Sequence, residues 1–211
     1  MPILSSGGLD KLDICYHVRQ PENMQGKESA RQAHVLETAL TVFVRHGFRK
    51  TSIEDIAKAA GISRQGIYLQ FKNKDEIFSA SIQKALDDRL QAANKIFDDE
   101  RLALEEKLFK ALDEWFGRHV GLFHPEASDL AAQCERVLGD AVGKSNSSFQ
   151  KKLEKVILES SAKKKKGADK RAATIADMLC ACGLTWKHSF SSRQEFLEKM
   201  CDAVHLCCRD L

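Results

Sequence analysis

Residues 35–78 read VLETALTVFVRHGFRKTSIEDIAKAAGISRQGIYLQFKNKDEIF, and the fold turns on this stretch. Leu36, Ala39, Leu40, Phe43 and Val44 recur at helical spacing, and Gly47 is placed to end that helix as the residue past its last turn. Ser52 stands three residues before Asp55, the spacing of a capping box, and opens a short helix whose apolar face is Ile53, Ile56, Ala57 and Ala60. Gly61 breaks it, Ile62 tucks under, and Ser63 caps a second short helix from Arg64 to Phe71. Two short helices joined by a tight turn containing glycine have the spacing of a helix-turn-helix.

The second of these helices buries Ile67 and Phe71 and shows Arg64, Gln65, Gly66, Tyr68 and Gln70 on its other side. Arginine and glutamine side chains hydrogen-bond base edges in a major groove. Gly66 has no side chain and lets the backbone lie close to a duplex. Tyr68, Gln70 and the hydroxyls of Thr51, Ser52 and Ser63 suit phosphate oxygens, with Lys72 and Lys74 beside them. Asn73, three residues before Glu76, caps the next helix, whose free N–H groups also suit a phosphate.

This segment resembles the DNA-binding domain of the TetR family of bacterial transcriptional regulators. The residues that carry the likeness are Ala39, Phe43, Gly47, Thr51, Ile53, Ile56, Ala57, Ala60-Gly61-Ile62-Ser63, Tyr68, Phe71, Lys74 and Ile77. Gln70 departs from the pattern, since the family often has histidine or tyrosine there. The resemblance implies a homodimer that reads a palindromic DNA operator. It also implies a second helical domain for dimerisation and effector binding, with the last two helices forming the dimer interface.

Charge distribution agrees with a nucleic-acid partner. The whole chain is only +3, yet residues 27–75 hold nine basic and five acidic side chains, a balance of +4 that leaves −1 for the remainder. With 43% hydrophobic residues, three prolines and no alternating β-branched runs, 211 residues predict an all-α chain of about nine helices. Residues 1–26 lack a sustained period and read as a disordered arm or a non-native extension, followed by the DNA-binding domain over 27–75 and the second domain over 76–211.

Beyond the helix-turn-helix, a long helix is expected from Lys74 to about Phe97, linking the two domains through the stripe Ile77, Phe78, Ile82, Ala85, Leu86 and Leu90. Further helices are expected at about 102–122, through Leu130 and Val137, from Phe149 to Ser160, at about 169–188 and at about 192–208. Pro125 suits the first turn of a helix, Ser145-Asn-Ser-Ser reads as a loop, and Ser192 with Glu195 as a capping box. Lys163–Lys166 reads as a solvated helix end, or else as a polybasic contact to nucleic acid. In the last two helices Ala172, Ala173, Ala176, Ala181 and Gly183 permit close helix approach, either across a dimer or within one subunit, with Trp186 or Phe190 as anchor.

Trp115, Phe116, His119, Phe123, Cys134, Phe149, Met178 and Trp186 offer an aromatic, soft lining for a mainly apolar or aromatic small-molecule effector, or else are plain core residues. The seven cysteines show no paired spacing: Cys180 and Cys182 diverge by roughly 200° on a helix, so reduced thiols packed in a core, or else a thiol sensor, are expected and no metal or other cofactor. No secretory segment and no apolar run of membrane length is present, which reads as a cytoplasmic protein. The rival readings are a ligand-independent DNA-binding or protein-docking module and an enzyme in a helical bundle. No GxSxG, HExxH, P-loop or paired CxxC supports the second.

Overall fold

The structure, a computed structural model, describes residues 21–121, 129–160 and 167–209, together with the backbone but not the side chains of 21–27 and of His119. The first 20 residues with Cys15, the segment with Phe123, His124 and Pro125, and Lys163–Lys166 lie outside the described residues. Among the described residues there are nine α-helices and no strands. These are α1 (Pro21–His46), α2 (Ile53–Ala60), α3 (Arg64–Tyr68), α4 (Lys74–Asp98), α5 (Leu104–Trp115), α6 (Leu130–Leu138), α7 (Ala141–Ser160), α8 (Ala168–Ser189) and α9 (Arg193–Cys208), with a 3-10 turn at Gly117–His119 after α5. None is long and apolar enough to cross a membrane.

Two apolar cores form. In the first, α1, α2, α3 and the start of α4 bury Phe43, Ile56, Ile67, Phe71, Ile77 and Phe78. Phe78 meets Phe43 and Phe48 edge-on at 5.1 and 5.2 Å between centroids. In the second, Leu108, Leu112, Trp115, Phe116, Phe149, Leu153, Ile157, Leu179, Phe196 and Met200 join α5, α7, α8 and α9. Helix α4 belongs to both, giving Ile77 and Phe78 to the first core and Ala93 and Phe97 to the second. Its 25 residues span about 37 Å at 1.5 Å per residue. The expected link between the domains is therefore a continuous rod.

Several local expectations change: α3 ends at Tyr68 and not at Phe71, and α5 ends at Trp115 and not near residue 122. Helix α1 starts at Pro21, within the stretch expected to be a disordered arm, with a proline in the first turn where its missing N–H costs nothing. Residues 145–148 are not a loop, because α7 runs through them. Ser148 donates back to the Lys144 carbonyl one turn earlier, and Asn146 Oδ1 accepts the indole N–H of Trp115 on α5 at 3.0 Å. Ser192 caps α9 by accepting the Glu195 N–H, but Glu195 turns to the Ser191 hydroxyl instead of completing the box.

Helix α6 also crosses the expected boundary. Leu130 is buried in the first core, and Cys134 and Val137 pack against it. Gln133 and Arg136 both reach Asp75 at the start of α4. A helix that follows the second-domain helix α5 in the chain thus docks on the first domain.

Candidate nucleic-acid interface

The helix-turn-helix is built by its caps. Ser52 accepts the Asp55 N–H at 3.1 Å while Asp55 accepts the Ser52 N–H at 2.9 Å, so the capping box is reciprocal. The Ser52 side-chain and backbone bonds hold the Asp55 carboxyl below its ordinary 3.8. Gly61 takes φ +67°, and its N–H returns to the end of α2, which sets the turn. Ser63 then caps α3 by accepting the Gly66 N–H at 3.0 Å.

Helix α3 turns only Ile67 fully inward, while Arg64, Gln65 and Tyr68 are exposed. Arg64 lies over the Tyr68 ring, 5.5 Å from its centroid, and donates weakly to its hydroxyl at 3.4 Å. The pair is one turn apart and presents a guanidinium on an aromatic platform. A Cβ added at Gly66 would meet nothing closer than Ser63 Oγ at 3.4 Å, an ordinary contact. No packing among the described residues therefore requires glycine there.

The expected phosphate-contacting residues divide by geometry. Ser52, Ser63 and Lys72 are exposed. Ser63 uses its lone pair for the cap and keeps its O–H free, whereas Ser52 gives its O–H to Asp55 at 2.6 Å. Thr51 is buried, and its hydroxyl donates to the Gly47 carbonyl at 2.7 Å. Gln70 is half-buried, with its amide turned back to the Gly66 carbonyl at 3.3 Å. Lys74 spends two N–H donors on the carbonyls of Phe48 and Thr51, both at 2.9 Å, and sits 4.3 Å from the Phe48 ring centroid. It clasps the start of α4 to the α1–α2 turn, leaving one donor for an outside oxygen. Thr51, Gln70 and Lys74 therefore hold the head together before they touch anything else.

A cleft of about 440 Å3 gathers Arg49, Lys50, Ser52, Arg64, Tyr68 and Lys74 beside α3. Arg49 and Lys50 were counted in the basic balance but not singled out as contacts. Their position in the turn just before the α2 cap was the available signal.

Comparison with known proteins places this head. Residues 35–81 match the family model described as bacterial regulatory proteins, tetR family. Over these residues the chain resembles the DNA-binding domain of that family. The HTH-type transcriptional regulator YfiR of Bacillus subtilis (strain 168) is 39% identical over 75 residues, 36% of this chain and 37% of YfiR. The HTH-type transcriptional repressor KstR2 of Mycobacterium tuberculosis is 31% identical over 117 residues, 53% of this chain and 58% of KstR2. In each case the match spans less than two thirds of the curated relative. A transcriptional regulator from Aquifex aeolicus VF5 shares the fold with a TM-score of 0.63 at 16% identity, covering 83% of this chain and 98% of that one.

Behind the helix-turn-helix head, the residues expected to line an effector pocket do not form one group. Trp115 stacks on Phe149 at 5.0 Å and Phe116 meets it edge-on at 5.8 Å, so these three fill the second core against one another. Trp186 is half-buried against Phe190, with ring centroids 5.9 Å apart. Met178 points to solvent, 54% exposed, and Cys134 packs on the head through α6. The His119 side chain and Phe123 lie outside the described residues. Ala172, Ala176 and Gly183, expected at a helix–helix approach, are buried within their own subunit. A Cβ at Gly183 would fall 2.3 Å from Phe116 Cδ2. The thiols Cys180, Cys182, Cys207 and Cys208 all sit in or on the second core, and burial pushes Cys180 up to about 12 and Cys208 up to about 11.

Proposed function

We propose that this chain is a DNA-binding transcriptional repressor that grips a palindromic operator as a homodimer and lets go when a small molecule binds its second domain. The observation that carries the reading is the outer face of α3. Arg64, Gln65 and Tyr68 stand exposed around a Gly66 that the fold itself does not need. Arg64 and Gln65 would read base edges, and Tyr68, Ser63 and Lys72 would take phosphates, joined by Arg49 and Lys50. The regulator and repressor names of YfiR and KstR2 support the same function. Catalysis finds no support in those names.

One head covers a short half-site, and a pair about 34–36 Å apart reads a palindrome. Met178 and Leu184 on α8 and Leu206 on α9 are exposed apolar residues on the last two helices, and they supply the surface for pairing. The effector works by favouring a dimer whose heads stand at the wrong separation, through its differential affinity for the two states. Helix α4 carries that change, since it contributes to both cores. The test is fluorescence anisotropy with DNA from upstream of the chain's own gene. Tight, salt-dependent binding that survives excess random duplex supports the proposal. Binding no tighter than to random duplex refutes it.

A further inference from the structure

The outer face of α3 has an apolar member that hydrogen bonds and phosphates do not account for. Leu69 is the most exposed large apolar side chain among the described residues, at 81%. It belongs to neither apolar core. Its backbone carries the helical turn one residue past α3, with φ −69° and ψ −24°, and its N–H donates to the Gln65 carbonyl at 3.0 Å. At roughly 100° per residue, Leu69 projects about 40° from Gln65 and about 160° from Ile67. Ile67 is the side chain that α3 buries. Leu69 therefore stands near the middle of the fan formed by Arg64, Tyr68, Gln65 and Gly66. Beside it, an open cleft of about 800 Å3 separates α3 from the first half of α1. Ser63, Gly66 and Leu69 line one wall, and the exposed Arg31 and His34 line the other.

A single exposed leucine is ordinary on a protein surface. One in the middle of a polar face that fits a duplex has a narrower meaning. Leucine can bond neither a phosphate nor the donors and acceptors of a base edge. The feature of the major groove that it complements is the C5-methyl of thymine, which takes apolar contacts. We propose that Leu69 is a specificity-determining residue that packs on a thymine methyl in the operator half-site. This deepens the repressor reading and rests on it. Gly66 favours the contact, because a residue without a side chain lets the duplex come close on the same side. Gln65 and Leu69 are four residues apart, about 6 Å along a helix at 1.5 Å per residue. With base pairs spaced about 3.4 Å apart, the thymine falls about two base pairs from the one Gln65 reads.

The test uses the whole chain and the duplex that the wild type enriches most from a pool of random sequences. Each thymine of that duplex is replaced in turn by deoxyuridine, which lacks only the C5-methyl. Affinities are read by anisotropy at one fixed salt concentration for the wild type, Leu69→Ala and Leu69→Met. The wild type is expected to lose about three- to tenfold at one thymine of each half-site, the size of one methyl group withdrawn from an apolar contact. Leu69→Ala is expected to bind the thymine duplex more weakly by at least that factor and to bind its deoxyuridine counterpart equally well. Leu69→Met, apolar and of similar reach, is expected to keep most of the discrimination. Both variants are expected to melt with the wild type, since the side chain lies outside the cores. Undiminished discrimination in Leu69→Ala would overturn the contact, and so would a large fall in its Tm, which would assign Leu69 to folding. A wild type that enriches a sequence yet ignores every deoxyuridine sinks this inference alone. A wild type that enriches no sequence sinks the repressor reading, and this inference with it.

Discussion

Asp129 holds Arg49 by its backbone: the carboxylate accepts the Arg49 N–H at 2.8 Å and the neighbouring Phe48 N–H at 3.0 Å. Asp129 precedes α6 in the N-cap position but makes no cap bond to its own helix. It reaches across 80 residues of sequence to the α1–α2 turn that precedes the helix-turn-helix. Asp129→Ala would leave two backbone donors without their charged acceptor. We expect a loss of about 1.5–3 kcal/mol in urea unfolding and faster amide exchange at Phe48 and Arg49. Unchanged exchange at both amides would show that this contact does not tie α6 to the head.

Gly66 separates stability from binding. In the interior of α3 a glycine costs about 0.5–1 kcal/mol relative to alanine, and the added methyl meets only ordinary contacts. Gly66→Ala should therefore unfold at higher urea than the wild type while binding operator DNA more weakly. A variant that is more stable and binds equally well would remove the close backbone approach.

Gly183 behaves in the opposite way. A methyl there runs into the Phe116 ring, with three ring carbons at 2.3, 2.6 and 2.8 Å. Gly183→Ala should cost about 1–3 kcal/mol by overpacking, read as a lower urea midpoint. No loss would mean that the ring moves aside freely.

Acid stability follows from two depressed carboxylates. The Ser52 side chain and then its backbone hold Asp55 below 3.8, and the Arg101 side chain does the same for Asp99. Both folded values lie under the unfolded value, so the unfolded chain takes up protons first as pH falls. Their contribution is fully present above the ordinary carboxylate range and is lost as pH drops through the folded values. Urea midpoints at pH 7 and pH 3 should differ less for Asp55→Asn than for the wild type. An equal difference would exclude Asp55 from the acid response.

The features legible from residues alone were the local ones. The Ser52–Asp55 box, the Gly61 turn and the Ser63 cap each lie within a few residues, so spacing reveals them. Partners far apart in sequence were not legible. Asp129 looks like a helix cap and Lys74 like a phosphate contact, yet both serve backbone groups of the α1–α2 turn. Asn146 stands in a polar run that mimics a loop, yet it lies within α7 and accepts the Trp115 indole N–H from a helix far off in the sequence. Cys134 shows the limit of periodicity: its helix is amphipathic, but which core receives the apolar side depends on how the chain folds back.

The central claim is that α3 reads DNA through Arg64. The direct measurement is operator affinity of the wild type and Arg64→Ala by anisotropy at one fixed salt concentration, with random duplex in parallel. The account predicts a loss of about 1–3 kcal/mol on the operator, tenfold for every 1.4 kcal/mol, and a smaller loss on random duplex. Equal operator affinity in a folded Arg64→Ala protein would contradict it.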